Sequence, residues 1–271
     1  MVFSSSIHAF LLGLSSLLIM TIHASSHNGF ALSPDVSSNV SRNWAGYIAT
    51  NGSFTSISGT WDIPSITNGN YGSDAAWVGI GGVSSNDLIQ AGTQETVNRN
   101  GQVSYEAFYE TLPDVSRALS ITVNGGDSVT VSVTQTSNGV WQINVKDNTS
   151  GQSTQANVSY TSSLSSADWV EEAPSGMRSI LPLDNFGSIQ FTNLSTIENG
   201  NTDNLSQANA SAVTMTSIQN QPLASVSALG SDNASFTVSR TATSSLTNIT
   251  PSYRFYHRGS WVHRKHYFFY Y

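Results

Sequence analysis

The segment Ser128–Thr134 reads SVTVSVT, and its strict alternation decides the class of fold. In an extended chain, its three valines lie on one face, and its serines and threonines lie on the other. This pattern is typical of a strand in an antiparallel sheet that has one face buried and the other in water. Similar short segments recur about every 8 to 12 residues, a spacing that predicts an all-β sandwich.

Turn sequences separate these segments. Asn-Gly pairs occur at Asn51-Gly52, Asn100-Gly101, Asn124-Gly125 and Asn138-Gly139, and both residue types tolerate the left-handed backbone of tight turns. No segment has the period of a long amphipathic helix, so we expect two packed antiparallel sheets, arranged as in concanavalin-like or jelly-roll folds. The predicted strands are Ala45–Thr50, Phe54–Trp61, Ala75–Ile80, Asp87–Ala91, Val103–Glu110, Ala118–Val123, Ser128–Thr134, Val140–Val145, Ala156–Tyr160, Asp168–Glu172, Ser188–Phe191 and Ser235–Arg240.

The composition limits the classes of function. The chain has 271 residues, of which only 10% are charged, and 17 acidic residues outnumber 10 basic ones. Nucleic-acid binding through phosphate neutralisation is therefore not expected. A surface rich in Ser, Thr, Asn and Gly loses few ion pairs when carboxylates protonate, which favours a protein that tolerates acid. A closed sandwich needs no partner subunit, so we expect a monomer.

The two ends of the chain differ from its middle. An apolar segment of about a dozen residues near the N-terminus ends at small residues, so residues 1–25 are predicted to be a signal peptide and the protein to be secreted. Residues 26–42 are polar, as in a short pro-segment or arm. The folded domain is predicted to span 43–251. Residues 252–271 form a basic, aromatic tail to which we assign no function.

Cysteine is absent from the chain, and histidine is absent from its middle. Catalysis by a Ser–His or Cys–His pair, or by histidine-bound zinc, therefore lacks its usual residues between 28 and 256, unless the C-terminal tail supplies them. Hydrolysis in this region would depend on carboxyl, amide and hydroxyl groups, without a metal or another cofactor. The six histidines are His8, His23, His27, His257, His263 and His266.

Two polar side chains interrupt segments that otherwise read as buried strands. Gln90 lies in a short apolar segment bounded by glycines, which allow another backbone to approach closely. Its amide is either a core group bonded to backbone or a donor directed at an oxyanion. Further along, strand alternation places Glu171 and Glu172 on opposite faces, so only one of them can face a shared cleft. The alternative for these two acids is a solvated strand end.

Glu106 and Glu110 lie four residues apart on one face of a predicted strand. Paired carboxylates suggest a glycosidase, so a concanavalin-like glucanase is one alternative function. On a regular strand this spacing spans about 13 Å, more than the ~5 to 5.5 Å of a retaining pair or the ~6.5 to 9.5 Å of an inverting pair. Only a β-bulge would bring them closer. A second alternative is a secreted lectin-like module that binds a ligand without cleaving it.

Seven segments, in order, resemble the glutamic peptidase (eqolisin) family, over residues 43–191 and more weakly to about 240. The resemblance implies a sandwich of two long curved sheets whose concave face binds peptide. It also implies endopeptidase activity at acid pH on protein or peptide substrates. The segments are Asn43–Gly46, Ser58–Trp61, Trp77–Ile80, Ile89–Gly92, Tyr105–Glu110 with Pro113, Ala167–Glu172, and Leu181-Pro182 with Phe186-Gly187.

The motifs show which residues of this chain correspond to the catalytic residues of the family. The catalytic Gln falls on Gln90, in the Gln-x-Gly match, and the catalytic Glu falls on Glu172, in the match Ala-acid-aromatic-Val-x-Glu. The family's cleft residues correspond to Trp44, Trp77, Glu106 and Glu110.

One departure from the family lies close to this predicted site. Asp is common in the family where this chain has Gly81, which leaves Gln90 without one neighbouring carboxylate. We expect the carboxylate of Glu172 to take a proton from the attacking water, and Gln90 to donate to the oxyanion. Glu106 and Glu110 would act as supporting acids.

Overall fold

The computed structural model describes residues 39–66, 70–176 and 179–241. The predicted signal peptide, nearly all of the segment 26–42, and the tail lie outside the described residues. Within them, all regular secondary structure is β-strand, and no helix is long and apolar enough to span a bilayer. The strands are β1 (Val40–Ser41), β2 (Trp44–Thr50), β3 (Phe54–Asp62), β4 (Gly72–Gly81), β5 (Leu88–Val97), β6 (Val103–Thr111), β7 (Arg117–Ala118), β8 (Ser128–Ser137), β9 (Val140–Asp147), β10 (Ser153–Ser159), β11 (Ser166–Glu172), β12 (Ser188–Glu198), β13 (Asn201–Asp203), β14 (Ser211–Thr216), β15 (Pro222–Val226) and β16 (Phe236–Arg240).

The strands form one continuous path of hydrogen-bonded neighbours that folds into two layers. Its order is β10-β9-β8-β3-β12-β16-β15-β14-β2-β11-β4-β5-β6-β7, with β1 attached to β14 and β13 attached to β12. Neighbours along the path are antiparallel, as in β3 with β8 and β4 with β5. One hydrophobic core joins residues of β4, β5 and β11 to residues of β3, β8 and β12. The predicted all-β, two-sheet sandwich is therefore confirmed.

Strand β8 is buried on one face, as its alternating sequence predicted. Val129, Val131 and Val133 are fully buried in the core between the layers. On the other face of the same strand, the hydroxyl of Thr130 lies 2.8 Å from the hydroxyl of Thr60 in β3. Polar groups on the outer face thus bond to each other across neighbouring strands, which adds to the stability of the sheet.

Two tryptophans join the layers across the core. Trp169 of β11 donates its indole N–H to the carbonyl oxygen of Ser58 in β3, at 2.9 Å. Trp61 of β3 donates to the hydroxyl of Thr93 in β5, at 3.0 Å. Both indoles are buried, so each bond satisfies a donor that has lost its water. These contacts fix the position of β5 and β11 over the opposite layer.

The structure also shows where the strand predictions were wrong. Only Ala118 of the predicted strand Ala118–Val123 belongs to a strand. The N–H of Leu119 still bonds to the carbonyl of Ala107 in β6, but the N–H of Ile121 bonds to the carbonyl of Leu119 in a tight turn that ends the pairing. Strands β1, β13, β14 and β15 were not predicted. β14 is short, and β15 begins at Pro222, which reads as a strand breaker but is tolerated at the first residue of a strand.

A glycine next to the predicted site holds two strands close together. A Cβ atom at Gly92 would lie 2.0 Å from the carbonyl oxygen of Ala76 and 2.6 Å from the Cβ atom of Trp77. Real side chains do not approach so closely, so only Gly fits at this position. The close approach expected from the glycines around Gln90 is therefore present between β4 and β5.

Candidate active site

An open groove with an empty volume of about 480 Å³ lies on the face of β4, β5, β6 and β11 that points away from the core. It brings together three side chains that the sequence singled out, Gln90, Glu110 and Glu172. They come from three different strands, and the antiparallel register sets their positions. The lining residues are Ala75, Gln90, Gln94, Phe108, Glu110, Ser116, Glu172, Pro174, Ser175 and Leu181.

Glu172 is held by N–H donors on both carboxyl oxygens. The side-chain amide of Asn43 donates to Oε1 at 3.0 Å, and the indole N–H of Trp77 donates to Oε2 at 2.8 Å. The indole of Trp44 packs edge-on against Trp77, with the ring centroids 4.9 Å apart. Its own N–H faces the carboxyl and lowers the pKa of Glu172 without forming a hydrogen bond of normal geometry. The carboxyl is thus fixed in place at the end of β11.

The electrostatics of Glu172 favour its neutral form. Burial, with a smaller contribution from the charge of Glu110, raises the pKa of Glu172 to about 8. The N–H groups of Trp77, Trp44 and Asn43 act in the opposite direction, because they stabilise the anion, but they do not outweigh burial. At acid pH the side chain is therefore a neutral carboxylic acid.

Gln90 and Glu110 form a buried pair directly opposite each other on β5 and β6. The side-chain nitrogen Nε2 of Gln90 donates to Oε2 of Glu110 at 2.5 Å. Burial raises the pKa of Glu110 to about 7, although the hydrogen bond with Gln90 lowers it. The side-chain oxygen Oε1 of Gln90 is buried and has no protein partner. An unsatisfied polar atom in a groove marks a place where a water or a substrate can bind.

The other predicted cleft residues occupy different places. Trp44 and Trp77 are buried, 1% and 0% exposed, and do not line the groove. They lie beneath the groove surface, next to the carboxyl of Glu172. Glu106 is exposed on the same face of β6 as Glu110, directly opposite Gln94, but it too lies outside the groove lining. The structure thus brings Glu110, and not Glu106, next to Gln90.

Sequence reasoning missed the role of Asn43. This residue was part of a motif that resembles the family, but it was not selected as a site residue. Its backbone carbonyl accepts from the N–H of Ala173, and the hydroxyl of Ser41 donates to its side-chain oxygen. Both bonds hold the amide against Glu172. A polar residue directly before the fully buried start of β2 was the signal that could have identified it.

Glu171 lies on the opposite face of β11, as the alternation predicted, and joins a cluster of buried carboxyls. Its neighbours are Asp74 of β4, Glu95 of β5 and Asp184 of the loop before β12, and all four are at most 1% exposed. Burial raises the pKa of each, to about 8 for Glu95 and about 9 for Asp184. The guanidinium of Arg240 opposes the shift at Asp184. We call these four acids the buried carboxyl cluster.

No group of His, Cys, Asp and Glu side chains within 39–66, 70–176 and 179–241 has the arrangement of a metal site.

Comparisons with known proteins place the chain in a family. The sequence pattern of the Peptidase A4 family matches residues 42–239. Aspergillopepsin-2 from Aspergillus niger is 30% identical over 187 residues, which span 60% of this chain and 66% of that protein. Scytalidopepsin B from Scytalidium lignicola is 31% identical over 204 residues, which span 70% of this chain and 76% of that protein.

Solved structures agree with this assignment. Scytalido-glutamic peptidase, in a crystal structure with a peptide-based transition-state analogue, matches with a TM-score of 0.65 and 27% identity, over 74% of this chain and 98% of that one. Aspergilloglutamic peptidase from Aspergillus niger matches with a TM-score of 0.56 and 30% identity, over 64% of this chain and 100% of that one. The chain thus belongs to the Peptidase A4 family, the glutamic peptidases or eqolisins, which hydrolyse peptide bonds.

Proposed function

We propose that this protein is a secreted, monomeric endopeptidase that cleaves proteins and peptides at acid pH with Glu172 and Gln90. The observation that carries the proposal is the groove itself. It places a buried carboxyl, held on both oxygens, in the same open cleft as an amide with one unpartnered end. These are the groups that peptide hydrolysis without histidine, cysteine or metal requires: one to move protons and one to stabilise an oxyanion.

The first step forms a tetrahedral intermediate. The high pKa of Glu172 changes the mechanism expected from the sequence, because the neutral acid predominates at acid pH. As the water oxygen attacks the scissile carbonyl carbon, one Glu172 oxygen takes a proton from the water. The other oxygen gives its proton to the carbonyl oxygen. Gln90 donates an amide hydrogen to that same oxygen, which lowers the barrier as charge develops on it.

The second step breaks the peptide bond. Glu172 gives a proton to the leaving nitrogen while the carbon–nitrogen bond breaks, and it takes back a proton from a hydroxyl of the intermediate. A carboxylic acid and an amine are released, and Glu172 is neutral again, so atoms and protons balance. Both steps need one proton on Glu172, and burial raises the pKa that keeps it there.

The alternative functions have less support from the site. A glucanase would use Glu106 and Glu110, but only Glu110 lines the groove. Strand β6, which carries both residues, pairs with β5 without interruption from Val103 to Thr111. No bulge therefore brings the two carboxyls together. A lectin-like module would not need a neutral carboxyl fixed by two N–H donors. Polysaccharide cleavage, or ligand binding without peptide cleavage, would favour these alternatives over ours.

We expect cleavage of a denatured protein to be fastest in acid and to fall as pH rises through about 7 to about 8. The rate falls with pH because Glu110 and Glu172 act as neutral acids, and their pKa values are about 7 and about 8. The measurement is the initial rate from pH 2 to 8, with pepstatin and a chelator as separate controls. Cleavage that either control abolishes, or that increases toward pH 8, would contradict the proposed mechanism.

Export is a separate part of the proposal. It rests on the apolar N-terminal segment within residues 1–25, and mass spectrometry of the protein collected from the medium tests it. A mature protein that begins after residue 25 is expected. Retention of the complete protein in the cell would refute it.

A further inference from the structure

The two ends of the Gln90 amide have different surroundings. In the structure, Nε2 lies 2.5 Å from Oε2 of Glu110, and Oε1 is buried without a protein partner. A distance of 2.5 Å is shorter than an ordinary N–H···O bond, about 2.7 to 3.2 Å, but it lies in the range of O–H···O bonds, about 2.5 to 3.0 Å. Because the nitrogen and oxygen of an amide are assigned from their hydrogen bonds, the distance favours the reversed amide, in which a carboxyl O–H of Glu110 donates to the amide oxygen.

We propose that Glu110 is a positioning residue that determines which end of the Gln90 amide faces the substrate. Neutral Glu110 donates its O–H to Oε1 of Gln90, which places Nε2 and its hydrogens at the unpartnered position in the groove. Ionised Glu110 accepts from Nε2 instead, and it turns toward the substrate a carbonyl oxygen that cannot stabilise an oxyanion. The inference rests on the proposed function, because it concerns the oxyanion donor of that reaction.

The backbone makes this pair rigid. Gln90 and Glu110 face each other in an unbroken antiparallel register between β5 and β6. Gln90 is 2% exposed and Glu110 is 9% exposed, so water does not compete freely for the contact. The pair can therefore adapt to a change of protonation mainly by rotating the amide, which exchanges its oxygen and nitrogen at little cost in volume.

The charges around Glu110 favour its neutral form in acid. Burial raises its pKa to about 7. Its negative charge raises the pKa of Glu172 on β11 and of Tyr160 after β10, so these groups share one electrostatic environment. The ion pair found among the described residues joins Arg117 to Asp114, at 3.8 Å, and it does not include Glu110. No described cation therefore pairs with Glu110 to stabilise its carboxylate.

Two substitutions of Glu110 test the role at pH 4 with an internally quenched peptide. Glu110→Gln replaces the carboxyl O–H by an N–H that can donate to Oε1 of Gln90, so kcat is expected to stay within about threefold of wild type. Glu110→Met has a similar length but no donor. It is expected to lower kcat by about 100-fold and to change KM by less than about twofold, as for the loss of an oxyanion donor. Equal kcat in the two variants, whether both high or both low, would refute the inference.

The pH profile gives a second readout that a merely structural role would not change. In wild type, log kcat/KM is expected to fall with a slope that approaches about −2, because Glu110 and Glu172 both ionise. In Glu110→Gln the slope is expected to approach about −1. Rates are taken directly after dilution from an acid stock and divided by the folded fraction from circular dichroism. An unchanged slope would refute the inference, whereas a wild type that cleaves no peptide would refute the proposed function itself.

Discussion

Glu172→Gln is expected to lower kcat/KM for peptide cleavage at pH 4 by about 10⁴-fold or more, as for the loss of the central proton carrier in other hydrolases. The amide has the shape of the carboxyl, but it cannot pass a proton to the carbonyl oxygen or to the leaving nitrogen. One of the two donors, Asn43 or Trp77, would then face an amide nitrogen and lose its acceptor, at a cost of about 1 to 3 kcal/mol. Peptide cleavage and urea unfolding at the same pH separate the two effects.

Glu171→Gln is the matched control, since it makes the same chemical change one residue earlier. Glu171 belongs to the buried carboxyl cluster on the other face of β11, away from the groove. Its variant is expected to keep kcat/KM within about threefold of wild type. An inactive Glu171→Gln beside an active Glu172→Gln would show that the strand-face assignment is wrong. Activity in both variants would remove Glu172 from the mechanism.

Local patterns were sufficient for the fold class and for the placement of Glu171 and Glu172 on opposite faces of a strand. The alternation of Ser128–Thr134 identified a half-buried strand, and the same period separated Glu171 from Glu172. These conclusions depend on the direction of neighbouring side chains, which strand geometry determines without tertiary information. The assignment of Gln90 required more, because an amide in an apolar strand fits a core role equally well. There the resemblance to the family made the choice.

Long-range geometry explains what the sequence did not predict. Trp44 and Trp77 were expected to line the cleft, but two tryptophans in contact with each other bury their rings and leave their N–H groups for Glu172. The buried carboxyl cluster joins Asp74 to Asp184, which are more than 100 residues apart in the chain. Its existence depends on the registers of β4, β5 and β11, which no local pattern specifies.

The buried carboxyl cluster is expected to make the protein stable in acid and to unfold it near neutral pH. The pKa of each cluster acid is raised in the folded chain, so its stabilising effect is complete below the unfolded value of about 4. It is lost progressively as pH rises toward the folded values, about 8 for Glu95 and about 9 for Asp184. Arg240 does not prevent this, because its guanidinium bonds to backbone carbonyl oxygens.

Whether the protein unfolds depends on how much free energy it costs to keep the cluster acids neutral. Each acid that stays neutral in the folded chain costs about 1.4 kcal/mol per pH unit above its unfolded pKa. Two such acids therefore cost roughly 5 to 6 kcal/mol between about pH 4.5 and 6.5, which is close to the lower end of the ~5 to 15 kcal/mol that stabilises a typical domain. Urea unfolding followed by circular dichroism from pH 3 to 8 measures the slope. A stability that is constant, or that increases toward pH 8, would contradict the prediction.

Glu171→Gln serves here as the test variant, because it removes one titrating group and puts a neutral amide of similar shape in its place. Its free energy of unfolding is expected to fall less steeply with pH than that of wild type, so that it exceeds wild type near neutral pH. Glu106→Gln removes an exposed carboxyl outside the cluster and is expected to leave the slope unchanged. If both variants had the wild-type slope, the loss of stability would have to come from other buried acids, of which Asp168 on β11 is fully buried and has a raised pKa. A variant that is stable at neutral pH and still cleaves only in acid would show that two sets of buried carboxyls act independently. Ionisation of the buried carboxyl cluster would then limit stability, and ionisation of the groove carboxyls would limit cleavage.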